Sequence, residues 1–357
     1  MKKTISLLLI MVLALGLFTG CAGTVVVVGD CTCPTGAHTS EPTQSTVPAE
    51  GALKTGLAVS TSVADSTSAT AEEAGAVKYD VTVAAVTLDD AGIIRGCVID
   101  SIPATVNFDA TGILTSDVTA AVPTKNELGA DYGMVAYGGA VAEWDAQVAA
   151  LCDFAVGKTV EELKTGAIDE TGKAPAGSDL ASSATIYLGG FVGIIETAAA
   201  NATHLGAQAG DTLKLATLNK LSASQSASAE GNGCAQLDAD ITAVTVRDGV
   251  VTSCIIDSLQ AKVEFDTAGT VTTDLTAPVL TKNELGENYG MVAWGGAKAE
   301  WNAQAASFAA YVTGKTADEI AGIAVDEGTK PADGSDLQSS VTIAIGGFQA
   351  LIAKALA

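Results

Sequence analysis

The stretch TKNELGADYGMVAYGGAVAEWDAQ at residues 124–147 returns as TKNELGENYGMVAWGGAKAEWNAQ at 281–304. The offset of 157 residues holds without a gap from Cys97/Cys254 through Phe191/Phe348. It becomes 158 before a turn where LDDAG is one residue longer than its counterpart VRDG. Whatever fold the chain adopts must therefore satisfy one pattern twice. The period is far too long for a solenoid, so the repeat reads as two domains of one fold, 56–203 and 204–357. Each is of ordinary size for a domain with its own core.

Within a copy, VTVAAVTL (81–88) meets a turn at DDAG and continues as IIRGCVID (93–100); ATVNF (104–108) meets a turn at DATG and continues as ILTSD. β-Branched runs punctuated by Asp/Gly turns predict an antiparallel meander. Helical periodicity follows. Val141, Trp144, Val148, Leu151 and Ala155 recur at three- and four-residue spacings, as do Trp301, Ala305, Phe308 and Val312. TVEE (159–162) and TADE (316–319) each place Thr three residues before Glu, a capping box that starts a short helix. Terminal helices are expected at about 191–201 and 348–356. Strands first and helices second predict an α+β fold, two tandem meanders with helices packed on one side.

The first twenty residues carry Lys2 and Lys3 ahead of an apolar run through Phe18, the pattern of a signal peptide. The run ends in Phe18-Thr19-Gly20-Cys21, which resembles a bacterial lipobox. That resemblance implies that Cys21 becomes the lipidated mature N-terminus and ties the protein to the extracytoplasmic side of the cell membrane. Residues 21–55 then read as the lipidated cysteine and a disordered tether, rich in Ser, Thr and Pro and poor in large apolar residues. Cys31, Cys33 and His38 on that arm read as loosely paired thiols and a linker histidine, not as a metal site.

The formal charge is −23, and loss of the two leader lysines makes it about −25. Such acidity disfavours nucleic acid and anionic lipid as partners and keeps an exported protein soluble. The histidines are His38 and His204 alone, which argues against a histidine-based triad or a His-rich zinc site. Seven cysteines with matched positions only at Cys97 and Cys254 do not form a disulfide framework; that pair reads as buried strand residues.

A short motif near the end of each copy stands apart: SDLASSATI (178–186) and SDLQSSVTI (335–343). Pattern alone leaves Thr185 and Thr342 either in a short strand or in a turn that leads into a helix. With the meander before it and a helix after it, the motif resembles the attachment sequence Asp-x-x-Ser/Thr-Gly-Ala-Thr/Ser of FMN-binding domains. Asp179, Ser182, Ala184 and Thr185 match it, as do Asp336, Ser339 and Thr342. Ser183 and Ser340 stand where the family has glycine, and Val341 stands for its alanine, adding β-branching that favours strand over turn. The family includes flavin-carrying subunits of ion-pumping quinone reductases and tandem-domain surface lipoproteins. The resemblance implies that a flavin transferase, consuming FAD with magnesium, joins FMN through its phosphate to Thr185 and Thr342. A covalent link suits an exported, acidic protein, which has no assured pool of free FMN and repels its phosphate.

The resulting expectation is a redox carrier, not a substrate-converting enzyme, passing electrons between a membrane quinone or dehydrogenase and an external acceptor. The alternative is a flavin-free surface lipoprotein that binds a small ligand, a polymer or a protein; a weaker third option is a structural envelope component. Tyr132, Met134 and Tyr137, with Tyr289, Met291 and Trp294, could line a flavin face, although a turn that locks helices to sheet is the first reading. Glu127/Glu284 and Glu143/Glu300 read as solvated helix or turn residues. No phosphate loop, zinc signature or nucleophile elbow is present.

Overall fold

The computed structural model describes residues 51–357. The leader, Cys21, Cys31, Cys33 and His38 lie outside the described residues. In the first copy, strands β1 (Ala52–Ser62), β2 (Gly75–Leu88) and β3 (Ile94–Phe108) precede helices α1 (Lys125–Leu128), α2 (Met134–Gly138), α3 (Trp144–Ala155), α4 (Val160–Ala167), α5 (Asp179–Ser183) and α6 (Gly189–Ala200). The second copy follows with β4 (Thr203–Gln208), β5 (Thr212–Lys220), β6 (Gly233–Arg247) and β7 (Val250–Phe265), then α7 (Lys282–Leu285), α8 (Trp301–Val312), α9 (Ala317–Ala321) and α10 (Gly346–Leu356). The fold is α+β. One antiparallel sheet runs β3-β2-β1-β4 and the other runs β5-β6-β7.

Strand β2 shows how sequence sets the layers. Val77, Tyr79, Val81, Val83 and Ala85 alternate with polar residues at first, and all five are buried on one face. From Ala84 onward the opposite face is apolar too, with Ala84, Val86 and Leu88 buried. A strand turns apolar on both faces only where both faces are covered. One face packs against the other sheet: Val81, Ile102 and Val106 share a core with Leu237, Ile241 and Val263. The other face carries helices, with Val86 and Ile99 beneath Trp144, Leu151 and Ile195, and Val244 and Ile256 beneath Trp301, Phe308 and Ile352. The result is four layers, helices, sheet, sheet, helices, and the central core belongs to both copies. The described residues form one compact unit.

Contacts between the copies are reciprocal. Phe108 stacks on its repeat counterpart Phe265, with ring centroids 4.0 Å apart and planes at 2°. A residue can meet its own counterpart only about a local two-fold axis. Ala69 N donates to Gly269 O and Ala227 N to Gly112 O, both at 2.8 Å. Leu114 N donates to Ser226 Oγ and Val271 N to Ser68 Oγ, both at 3.0 Å. Gly75 and Gly233 are the close approach this requires, since a Cβ at either would sit 2.3 Å from the Phe108 or Phe265 ring.

Several sequence expectations change. The first strand begins at Ala52, inside the 21–55 segment read as tether; Leu53 and Thr55 are buried there. The runs 93–100 and 104–108 are parts of one strand, β3, in which Pro103 pairs with Asp80. Proline is tolerated because β3 is an edge strand and needs no outward N–H. ILTSD forms only an isolated bridge, Leu114 to Phe108. Val141 lies ahead of α3 and is 65 % exposed, so the apolar stripe starts at Trp144. The capping boxes at Thr159 and Thr316 form as read, with Glu162 and Glu319 closing them.

Candidate functional site

In the first copy Ser178 caps α5 by accepting from Ala181 N at 3.2 Å. The second copy has a single 3₁₀ turn, Asp336–Ser339, in its place. Asp179, Ser182, Asp336 and Ser339 are exposed. The Ser182 hydroxyl donates back to Asp179 O at 2.6 Å, and Ser339 to Asp336 O at 2.9 Å. Ser183 closes α5 and Ser340 sits at φ −113°, so neither position needs the left-handed backbone that favours glycine.

Ala184 and Val341 are buried under the helical layer. They anchor a non-strand linker in which Thr185 is exposed and Thr342 half-buried. The β-branched Val341 therefore does not extend the linker into a strand; it fills a core position instead. Four residues beyond each threonine the terminal helix begins, at Gly189 and Gly346.

What holds each threonine is a glutamine that the sequence reading did not single out. Gln147 is fully buried on α3, and its Oε1 accepts from Thr185 N (2.8 Å), Ile186 N (3.2 Å) and the Thr185 hydroxyl (3.2 Å). Gln304 repeats this with Thr342 N (2.7 Å), Ile343 N (3.2 Å) and the Thr342 hydroxyl (3.0 Å). The Nε2 groups donate to Ala142 O and Ala299 O, both at 2.8 Å. Each buried amide is thus satisfied at both ends. The available signal was the identical Gln closing AEWDAQ and AEWNAQ.

The aromatic and methionine loop divides. In the second copy Tyr289, Met291, Trp301, Ile343 and Phe348 line a cleft of about 410 Å³ floored by the outer face of β5, β6 and β7, within the usual size of small-molecule sites. Trp301 meets Phe348 edge-on at 5.8 Å, and the Tyr289 hydroxyl donates to Gln260 at 3.1 Å. Lys282 lies 5.1 Å from the Tyr289 centroid and 5.0 Å from that of Trp301, and Lys125 does the same with Tyr132 and Trp144. Tyr137 and Trp294, by contrast, are 92 % and 82 % exposed and fold over Gly133 and Gly290 at the loop tip.

The recurring glutamates are not merely solvated. Glu143 accepts from Met134 N (2.8 Å) and Val135 N (3.1 Å), and Glu300 from Met291 N (2.8 Å) and Val292 N (3.0 Å). Glu127 and Glu284 complete capping boxes with Thr124 and Thr281. Behind them, buried Asp100 and Asp257 accept from Asn126 N and Asn283 N, both at 3.1 Å. Burial raises both carboxyls, Asp257 to about 6, against the lowering effect of those donors. Cys254 is buried as expected; Cys97 is half-buried with its thiol 3.4 Å from Cys152.

Among the described residues no three His, Cys, Asp or Glu gather as a metal site, and no helix is long and apolar enough to cross a membrane. Compared with protein-family models, curated proteins and solved structures, the chain matches none.

Proposed function

We propose that the protein is a lipid-anchored, extracytoplasmic electron carrier with FMN joined to Thr185 and Thr342. The observation that carries this reading is the setting of Thr342. Its hydroxyl is held by a buried glutamine, in a linker beside an aromatic and thioether cleft, four residues before a helix. In such a link the threonine oxygen bonds to the FMN phosphorus of FAD, the pyrophosphate bridge breaks, the hydroxyl proton is lost and AMP leaves.

Gln304 accepts the hydroxyl hydrogen bond, which leaves the oxygen lone pairs unengaged by it. The amides of Gly347 and Phe348 open α10 with no acceptor among the described residues and suit a phosphate. Tyr289, Met291 and Phe348 offer flat and polarisable surface to a ring system. Bound there, FMN supplies one- and two-electron transfer. Asp179, Asp336, Ser182 and Ser339, exposed on the turn before each threonine, fit recognition by a flavin transferase better than contact with the ring. Cys21 would hold the chain to the membrane, near a quinone or dehydrogenase that donates electrons.

The test is co-expression of the mature protein with a flavin transferase, followed by denaturation. Flavin fluorescence should stay with the polypeptide and vanish in the double variant Thr185→Ala/Thr342→Ala. No retained flavin in the parent protein sinks the reading. The flavin-free alternative, a surface protein that binds a ligand, polymer or partner, draws its support from the exposed Tyr137 and Trp294 at the two loop tips; their replacement by Ser would then abolish binding.

A further inference from the structure

The local two-fold axis creates two equivalent seams where a strand edge of one copy meets the helices of the other. In the first seam Lys354 of α10 reaches across to α1. Its ammonium pairs with Glu127 Oε1 and donates to Thr217 O of β5 at 2.7 Å. In the second seam the counterpart of Lys354 is Thr197 of α6, whose hydroxyl turns back to Gly193 O at 3.1 Å. The counterparts of Glu127 and Thr217 are Glu284 and Val59, and both line a cavity of about 480 Å³.

The cavity is made by small residues. Its wall on α8 carries Ala309 and Ala310 where the first seam has Cys152 and Asp153. The acceptors at the rim remain free. Glu284 Oε2 closes the capping box with Thr281 N at 2.8 Å, whereas Oε1 has no partner among the described residues. Asn201 Nδ2 donates to Leu57 O at 3.0 Å, which leaves its Oδ1 to accept. Leu57 O points away from β2, so Val59 O, two residues on, faces the same side.

We infer that this second seam binds a small aliphatic primary amine, with its ammonium at Glu284 Oε1 and Val59 O and its hydrocarbon chain along Leu57 and the α8 alanines. An ammonium has three donors and no acceptor, which matches a rim built from a carboxylate, a strand carbonyl and an amide oxygen. In the first seam the counterparts of these two acceptors, Glu127 Oε1 and Thr217 O, lie within reach of one ammonium, because Lys354 engages both. A lysine side chain is an alkylammonium, so the occupant of one seam defines the chemistry of the other. The acidic surface raises the local concentration of cations. The inference is independent of flavin, since none of these residues belongs to the threonine linker.

The experiment is calorimetric titration of the full mature chain at neutral pH with n-hexylammonium, n-hexanol and hexanoate. Saturable binding of hexylammonium is expected, weaker binding of hexanol and none of hexanoate. Glu284→Gln keeps an acceptor for the capping box and should weaken hexylammonium by about threefold to fivefold, the scale of an exposed ion pair, with no change for hexanol. Thr197→Lys, at an exposed helical position, places the protein's own ammonium in the seam and should abolish binding of both. The inference is overturned if no probe binds, if hexanol matches hexylammonium and Glu284→Gln changes neither, or if Thr197→Lys leaves the affinity unaltered.

Discussion

The centre of the molecule and its two flanks treat the duplication differently. At the centre each contact is made twice, by Phe108 and Phe265 on each other and by the paired Gly112 and Gly269 turns. On the flanks the repeat diverges: one seam is closed by Lys354 and the other stands open beside Thr197. A residue on the local axis is constrained by its own counterpart, so it must suit both copies at once. A residue on a flank meets a different neighbour on each side and is free to differ.

The largest effect should come from the centre. Phe265→Ala removes a fully buried ring and its stacking partner's contact, at about 3–5 kcal/mol. Because the core is shared, denaturant unfolding followed by tryptophan fluorescence should remain one transition at lower midpoint. Two separated transitions would break the comparison and restore independent domains. Phe108→Ala should be non-additive with Phe265→Ala, since the rings touch.

Next comes pH. Asp257 has its carboxyl raised to about 6 by burial, so the folded state holds a proton that the unfolded chain releases near 4. This contribution is fully present below the unfolded value and is lost as pH rises through 6. Asp257→Asn should behave like the parent near pH 4 and gain on it by up to about 3 kcal/mol by pH 7. A stability difference that stays flat between those pH values would refute the assignment.

Smaller effects belong to the linker. Gln304→Ala strips the acceptor from Thr342 N and Ile343 N and should cost about 1–3 kcal/mol, with faster hydrogen exchange at those two amides. Gln147→Ala should do the same at Thr185 and Ile186. Equal protection in variant and parent would show that the glutamines do not hold the linkers. Thr185→Ala and Thr342→Ala lose a hydroxyl and a methyl group from a linker that is exposed at Thr185 and half-buried at Thr342, and should shift stability by within about 0.5 kcal/mol. That contrast separates a position kept for folding from one kept for attachment.

Much of the secondary structure was legible locally. The alternation in VTVAAVTL, the capping boxes at Thr159 and Thr316, and the stripe from Trp144 each report which face of an element is buried. The runs 93–100 and 104–108, read separately, form one strand through Pro103, which only the edge position of β3 permits. The sites were less legible. SDLASSATI could be singled out by its recurrence, yet its partner Gln147 lies 38 residues away and reads as one more polar helix residue.

By itself the chain determined that one pattern must be satisfied twice, with antiparallel strands before helices in each half. Only the tertiary structure decided that the two sheets face each other, that Phe108 meets Phe265, and that Lys354 fills one seam while its counterpart leaves the other open. The physical reason is that apolar periodicity records that a face is covered and carries no record of what covers it.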